Sequence, residues 1–251
     1  LDPWQAFAFD IVRSCSELRR HGVRKALRLF LNGTAGTGKS RTVRSFVHAR
    51  RCEVVEAKRE ELLRSGACAG LGDAEDFLRK AAAKAGNDAT VLAAPTGGAS
   101  FQMKFGAATI HRIFGVPVGF CGPVRDRRSD RFLERARRLT VAALFVLDEF
   151  SMVGRQMLGK LVYRAQEILG VPEGGGAFPQ RDFVMAGDPK QAQPVGDEVM
   201  YKSGAYTRKG QNKPRKGKAP EGTPTMSDLV DMGRFFAQEF DDVALLRSVH
   251  R

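Results

Sequence analysis

The stretch Gly33-Thr34-Ala35-Gly36-Thr37-Gly38-Lys39-Ser40 limits what this chain can fold into more than any other. An apolar run, Ala26 to Leu31, precedes it, and Arg41 to Ala49 reads as helix after it. Strand, glycine loop and helix in that order are the context of a phosphate-binding loop. Gly33, Gly36 and Gly38 let the backbone turn sharply and bring its N–H groups close to a polyphosphate. The helix that follows points its positive end at the same place. Lys39 adds a point charge for β- and γ-phosphates, and the Ser40 hydroxyl suits Mg²⁺. Thr34, Ala35 and Thr37 complete the cradle.

A phosphate loop leaves the partner open, and composition narrows it. The 251 residues carry a formal net charge of +13, which favours a polyanionic partner, most simply nucleic acid, or else serves only solubility. Hydrophobic residues make up 43% of the chain, enough for a full core. No apolar run is long enough to span a membrane. Cys15, Cys52, Cys68 and Cys121 are scattered and form no C-x-x-C pair, so they read as reduced residues of an intracellular protein. The chain begins at Leu1 rather than Met, which leaves room for a preceding segment.

Further motifs follow in order. Leu1 to Cys15 has the spacing of an amphipathic helix, with Asp2-Pro3 as its cap and first turn. Gln5 on that helix is either a solvated surface amide or one that pairs with adenine as donor and acceptor. Cys52 to Gly86 reads as one or two helices broken near Gly66 and Gly70-Leu71-Gly72, an insertion without chemistry of its own. Ala89 to Ala94 reads as a strand ending at Pro95-Thr96, and Thr109-Ile110-His111 lies further on. Ligands of open parallel sheets bind beyond the carboxyl ends of strands, so Pro95 and Thr96 are well placed, and Thr109 and His111 suit phosphate oxygens or bases. A lone histidine is as readily structural. Val116 to Arg138 turns strongly basic, as a solvated helix face or a phosphate-tracking surface. Val141 to Leu147 reads as a buried strand delivering Asp148 and Glu149. Asp148 can hold Mg²⁺ and Glu149 can deprotonate a water.

Gly154 to Leu169 reads as helix, and Asp182 to Ala186 as a strand running into Gly187-Asp188-Pro189-Lys190-Gln191. Gln191 is a neutral amide able to touch both a γ-phosphate and its attacking water. Tyr201 to Pro220 is basic and low in complexity, with the composition of a loop. Met226 to Gln238 reads as helix and Asp242 to Leu246 as a last strand, before Arg247-Ser248-Val249-His250-Arg251.

In this order the motifs resemble the 5′→3′ branch of superfamily 1 DNA helicases, the PIF-type and RecD-like group. Leu1 to Gln5 is similar to the family's adenine-reading element, and Gly33 to Ser40 to its motif I. Ala94 to Gly97 with Thr109-Ile110-His111 is similar to motif Ia and its companion. Leu147 to Met152 resembles motif II, Gly187 to Val195 motif III, and Leu246 to Arg251 motif IV. Ala192 and Gln193 depart from the usual Leu and Pro of motif III.

The resemblance implies an α/β fold: a RecA-like P-loop NTPase with a mostly parallel sheet flanked by helices, with insertions near 52–88, 116–138 and 200–224. It implies a first motor domain over 1–251, with the second RecA-like domain absent from this chain. ATP and Mg²⁺ are the implied cofactors, and single-stranded, fork and duplex DNA the implied partners of a monomer without a membrane. Arg251 takes the position of the arginine finger, with His250 competing for that slot. The implied setting is repair, recombination or telomere maintenance, in a nucleus or mitochondrion if the source is eukaryotic. Three other classes fit part of the pattern: a P-loop ATPase or kinase with a small substrate, a superfamily 1 RNA helicase, and a strand-binding module without turnover.

Overall fold

The computed structural model describes residues 1–23, 25–67, 73–172, 176–202 and 222–249. In chain order they form α1 (Pro3–Arg20), β1 (Arg28–Gly33), α2 (Lys39–Arg64), α3 (Ala74–Asp88), β2 (Thr90–Ala94), α4 (Gly97–Met103), β3 (Ala108–Thr109) and α5 (Ile110–Phe114). Then come α6 (Asp130–Val141), β4 (Leu144–Leu147), a 3₁₀ turn (Phe150–Met152), α7 (Arg155–Leu169), β5 (Asp182–Gly187), α8 (Met226–Gln238) and β6 (Asp242–Leu246). The strands pair in the order β3-β2-β4-β5-β1-β6, and every pairing is parallel. All carboxyl ends therefore open on one edge. This is the RecA-like P-loop fold expected from the sequence, and its sheet is parallel throughout.

Side chains alternate across the strands and divide the core in two. Val91, Ala93, Phe145, Leu147, Phe183 and Met185 join the core beneath α5, α7 and α8. Their neighbours Leu92, Ala94, Leu144, Val146, Val184 and Ala186 join the core beneath α1 and α2, with Leu29, Leu31, Phe46 and Val47. Buried on both faces, the central strands read as continuous apolar runs.

Arg28 breaks that pattern at the start of β1, yet it is buried. Its guanidinium lies over the rings of Phe178 and Phe236 at 5.7 and 5.6 Å, pairs with Glu239 at 3.1 Å, and donates to the Phe178 and Pro179 carbonyls at 3.1 Å each. A buried arginine is tolerated when its donors are satisfied in this way. Asp182 at the start of β5 is likewise fully enclosed. It accepts from the Leu27 N–H at 3.0 Å and pairs with Arg50 of α2 at 3.3 Å.

Several boundaries differ from the sequence reading. The helix predicted over Arg41 to Ala49 runs on to Arg64, so the first third or so of the predicted insertion, residues 52–64, is a continuation of the phosphate-loop helix. No Gly or Pro interrupts residues 50–64, and strong helix formers fill them. Val141 belongs to α6, and the strand predicted from that residue begins at Leu144. The predicted break at Gly70-Leu71-Gly72 and most of the basic loop predicted from Tyr201 lie outside the described residues.

α7 and α8 cross with their backbones touching. A Cβ at Gly159 would sit 1.6 Å from the Leu229 carbonyl oxygen, and one at Gly233 would sit 2.0 Å from the Arg155 carbonyl oxygen. Both obstacles are backbone and cannot rotate away. Gly→Ala in an open helix stabilises by about 1 kcal/mol. Here the sign reverses: Gly233→Ala should cost roughly 1–3 kcal/mol by forcing the helices apart. Urea melts of the two proteins check this, and an unchanged or raised midpoint would refute the close crossing.

Candidate functional site

Four loops meet at the carboxyl edge of the sheet. β1 ends at Gly33 and releases the phosphate loop; β4 ends at Leu147 and delivers Asp148 and Glu149; β5 ends at Gly187 and leads to Gln191; β2 ends at Ala94 and leads to Pro95 and Thr96. The register levels these ends: Asn32 pairs with Gly187, Leu147 with Met185, and Ala93 with Leu147. Adjacent strands lie about 4.8 Å apart, so the loop, the glutamine turn and the acidic pair share one short stretch of edge.

The phosphate loop is tightly built. Gly38 has φ +80°, and a Cβ there would meet Gln5 Nε2 at 2.3 Å. Gly33 is needed for close approach, since its Cβ would lie 2.4 Å from Thr37 Oγ1. The Thr37 hydroxyl donates to the Thr34 carbonyl at 2.8 Å. Lys39 Nζ donates to the Gly33 and Thr34 carbonyls at 2.7 and 3.1 Å, which folds the ammonium over the loop. α2 starts at Lys39, so its first N–H groups have no acceptor within the helix. The Ser40 hydroxyl is exposed at the same place, and Ala35 and Gly36 form the exposed rim.

Gln5 corrects the surface reading of that residue. It is 1% exposed. Its N–H donates to Asp2 Oδ1 at 2.9 Å while its Oε1 accepts from the Asp2 N–H at 3.3 Å. The signal for this reciprocal cap at the start of α1 is the Asp-x-x-Gln spacing, which the sequence reading missed. Nε2 also donates to the Thr37 carbonyl at 3.1 Å, so α1 braces the phosphate loop directly. The amide has the capacity for one further N–H donor bond and one further acceptor bond at Oε1.

Asp148 is 5% exposed and accepts the Glu149 N–H at 3.0 Å. Burial pushes its carboxyl up to about 6. The Glu149 charge adds to this, while the Glu149 N–H and the Lys39 ammonium oppose it. Glu149 itself has φ 51° and ψ 44°, a left-handed conformation that costs a non-glycine residue of order 1 kcal/mol or more. Strain of this kind collects at functional sites, and here it falls on a half-buried carboxylate residue at the end of β4.

The Gln191 turn is held by its own backbone. The Gln191 N–H donates to the Asp188 carbonyl and the Lys190 N–H to Asp188 Oδ1, both at 3.0 Å. Asp197 and Glu198 follow, and no local pattern in the sequence marks either. Asp197 accepts the Met157 N–H at 3.2 Å, and the Glu198 carbonyl accepts the Arg155 N–H at 2.9 Å. They tie the chain after Gln191 to the start of α7, just beyond the acidic pair.

β2 and β3 pair Ala94 with Thr109, so Thr109 and Thr96, two residues past Ala94, both lie at the carboxyl ends of these neighbouring strands. Each hydroxyl caps a helix, accepting the Ala99 N–H at 3.2 Å and the Arg112 N–H at 3.3 Å. Each hydroxyl hydrogen thus remains available to an oxyanion. Pro95 is half-buried between strand and cap. His111 Nδ1 lies 2.8 Å from the Val116 carbonyl. A carbonyl only accepts, so Nδ1 carries the proton, and Nε2 of the neutral ring is an acceptor. Arg251 and His250 lie outside the described residues.

The donor set fits ATP and Mg²⁺. Mg²⁺ takes one or two carboxylates together with phosphate oxygens and water. Asp148, the Ser40 hydroxyl and the loop beside Lys39 offer that combination. Among the described residues no group of three or more His, Cys, Asp or Glu gathers as a metal cage.

A phosphate loop at the carboxyl edge of a parallel sheet in this strand order defines the RecA-like class of P-loop NTPase folds. Within that class the chain belongs to the AAA domain family, which matches residues 21–197. No curated protein matches the chain significantly in sequence. Solved structures to which it is similar include a Pif1 helicase at forked double-stranded DNA, at 21% identity and a TM-score of 0.48 over 78% of this chain and 35% of that one. Pif1 from Candida albicans is similar at 21% and 0.48 over 78% and 34%, and Bacteroides Pif1 bound to single-stranded DNA at 21% and 0.45 over 78% and 33%. The chain thus spans about a third of the length of those solved chains.

The raised Asp148 value has a consequence for stability. The folded protein holds this proton more tightly than the unfolded chain, so the contribution is complete below about pH 4 and is lost as the pH rises through about 6. Asp148→Asn should stabilise the nucleotide-free protein at about pH 7, by roughly 3 kcal/mol at most, and change little at about pH 4. Melting curves of both proteins at the two pH values check this. A difference independent of pH would show that the buried charge is not its source.

Proposed function

We propose that this chain is the first motor domain of an ATP-dependent 5′→3′ DNA helicase. The observation that carries the reading is the shared edge. Lys39, Asp148, Glu149 and Gln191 open there together, beside a pair of threonine caps on the same edge and within a chain of charge +13. A small-substrate kinase needs the first group and has no use for the second or for the charge.

The position of each residue supports the chemistry assigned to it. The loop N–H groups and Lys39, once its ammonium exchanges loop carbonyls for phosphate oxygens, hold the β- and γ-phosphates. Ser40 and Asp148 would hold Mg²⁺, which when bound neutralises charge that develops on the phosphates. Glu149, on its strained backbone at the end of β4, takes the proton of the attacking water. Gln191 touches γ-phosphate and water by its amide. Through Asp197 and Glu198, its turn is mechanically continuous with α7 and the acidic pair. Gln5 reads the base with its remaining N–H and lone pair. Pro95, Thr96, Thr109 and His111 contact the strand. The threonines donate to phosphate oxygens, and His111 stacks on a base or donates from Nε2 when protonated.

The reading assigns part of the ATP site to a second motor domain and to Arg251. An opposing arginine contributes about 10³- to 10⁵-fold in rate. The 251-residue chain alone should therefore bind ATP weakly, turn it over slowly and unwind no duplex. In the full-length protein, Glu149→Gln should keep ATP affinity and lower strand-stimulated turnover by about 10²- to 10⁴-fold. Undiminished turnover would remove Glu149 from the role of base. ATP hydrolysis that ignores added single-stranded DNA would overturn the helicase reading itself, and RNA competing better than DNA would change its substrate.

A further inference from the structure

α5 and α6 enclose a groove that the nucleotide chemistry does not use. Arg112 and Ile113 come from α5, and Arg131, Glu134, Arg135 and Arg138 from α6, around an open volume of about 390 Å³. α6 concentrates the charge by its periodicity. Residues 131, 135 and 138 recur at i, i+4 and i+7 on one face, and Phe132 and Leu139 bury the face adjoining it.

Four guanidiniums thus meet one carboxylate. None of the four forms an ion pair with a described residue, although their neighbour Arg137 pairs with Asp88 at 2.6 Å. Arg138 donates to the Gly106 carbonyl at 3.1 Å. Arg135 lies over Gly115, and its buried Nε has no described acceptor. Burial lowers the pKa of both Arg135 and Arg138. Arg164 adds to the effect at Arg135; at Arg138, Arg112 and Arg137 add to it, while Asp88 and Glu134 offset part. Like charges held round a recess with so little compensation raise the local concentration of anions.

The position of the groove selects the anion. Arg112 follows Thr109 by three positions, about 4.5 Å along a helix, so the groove starts where the threonine and histidine contacts end. We propose that this groove grips the phosphodiester backbone of the nucleic acid strand as it leaves Thr96, Thr109 and His111, at a site separate from the phosphate loop. The assignment rests on the strand-binding part of the function proposed above. Arginines contacting backbone oxygens supply affinity and salt dependence without reading sequence.

The test uses the full chain, with a labelled single-stranded oligonucleotide, ATP–Mg²⁺ and inorganic tripolyphosphate as probes. Substituting Arg131→Gln and Arg135→Gln together should weaken strand binding several-fold. It should also make the slope of log affinity against log salt shallower by about 0.7 for each phosphate no longer neutralised. ATP affinity should stay unchanged, and Arg135→Lys should restore much of the binding, because it keeps the charge. Arg131 is exposed, so Arg131→Gln alone gives the smaller shift even if the double variant fails to fold. An unchanged affinity and slope, with Thr96→Ala or His111→Ala still weakening the strand, would overturn the groove and leave the functional reading standing. Loss of tripolyphosphate binding alone, with strand affinity intact, would make this a small-anion site and overturn the strand assignment. An unaltered chain that binds ATP and no strand would overturn both.

Discussion

The parallel pairing of β4, β5 and β1 is the constraint on which the rest depends. Parallel strands send every chain the same way, so loops distant in sequence leave the sheet at one edge. Gly33, Asp148 and Gln191 are far apart along the chain. They become neighbours because Asn32 pairs with Gly187 and Leu147 with Met185. A one-residue slip in either pairing would swap the two buried faces of a strand, and both faces are packed, so the register is strongly held. The geometry of the site is thus inherited from core packing.

The two edges of the sheet handle their polar groups differently. At the amino edge, Arg28 and Asp182 are buried but well partnered. Arg28 is held by two rings, a carboxylate and carbonyls, and Asp182 by Arg50 and a backbone N–H. These groups fasten β1 and β5 to α2 and α8. At the carboxyl edge, Asp148 is buried at the cost of a raised pKa, and Glu149 holds a conformation its side chain disfavours. Strain and desolvation sit where a cation and a water would relieve or use them, and the satisfied network opposite keeps the sheet rigid enough to hold them.

Much of this was legible. The phosphate loop, the strand ending in Asp148 and the helix Met226–Gln238 all follow from local patterns that tertiary contacts leave alone. The boundary misses have local causes too. α2 outran its prediction because Cys52 brings no breaker, and α6 took Val141 because a helix already under way outweighs the β preference of one valine. Gln5 was ambiguous because an amide on an amphipathic helix has no sequence mark of burial. Only the packing of α1 on the phosphate loop encloses it. The crossing of Gly159 with Gly233 and the arginine groove depend on which helices meet, and no spacing along one segment carries that.

The sequence alone determined the chemistry available: glycines where a loop must turn, a lysine and serine at the head of a helix, an acidic pair at the end of an apolar strand. These are short-range facts, governed by backbone conformation and hydrophobic period. The tertiary structure decided which of them meet, how deeply Asp148 is buried, that Glu149 is strained, and that Arg112 joins Arg131, Arg135 and Arg138 round one groove. Burial and proximity are properties of the packed sheet and its helices, set by strand order and register, and they exist only once the chain has folded.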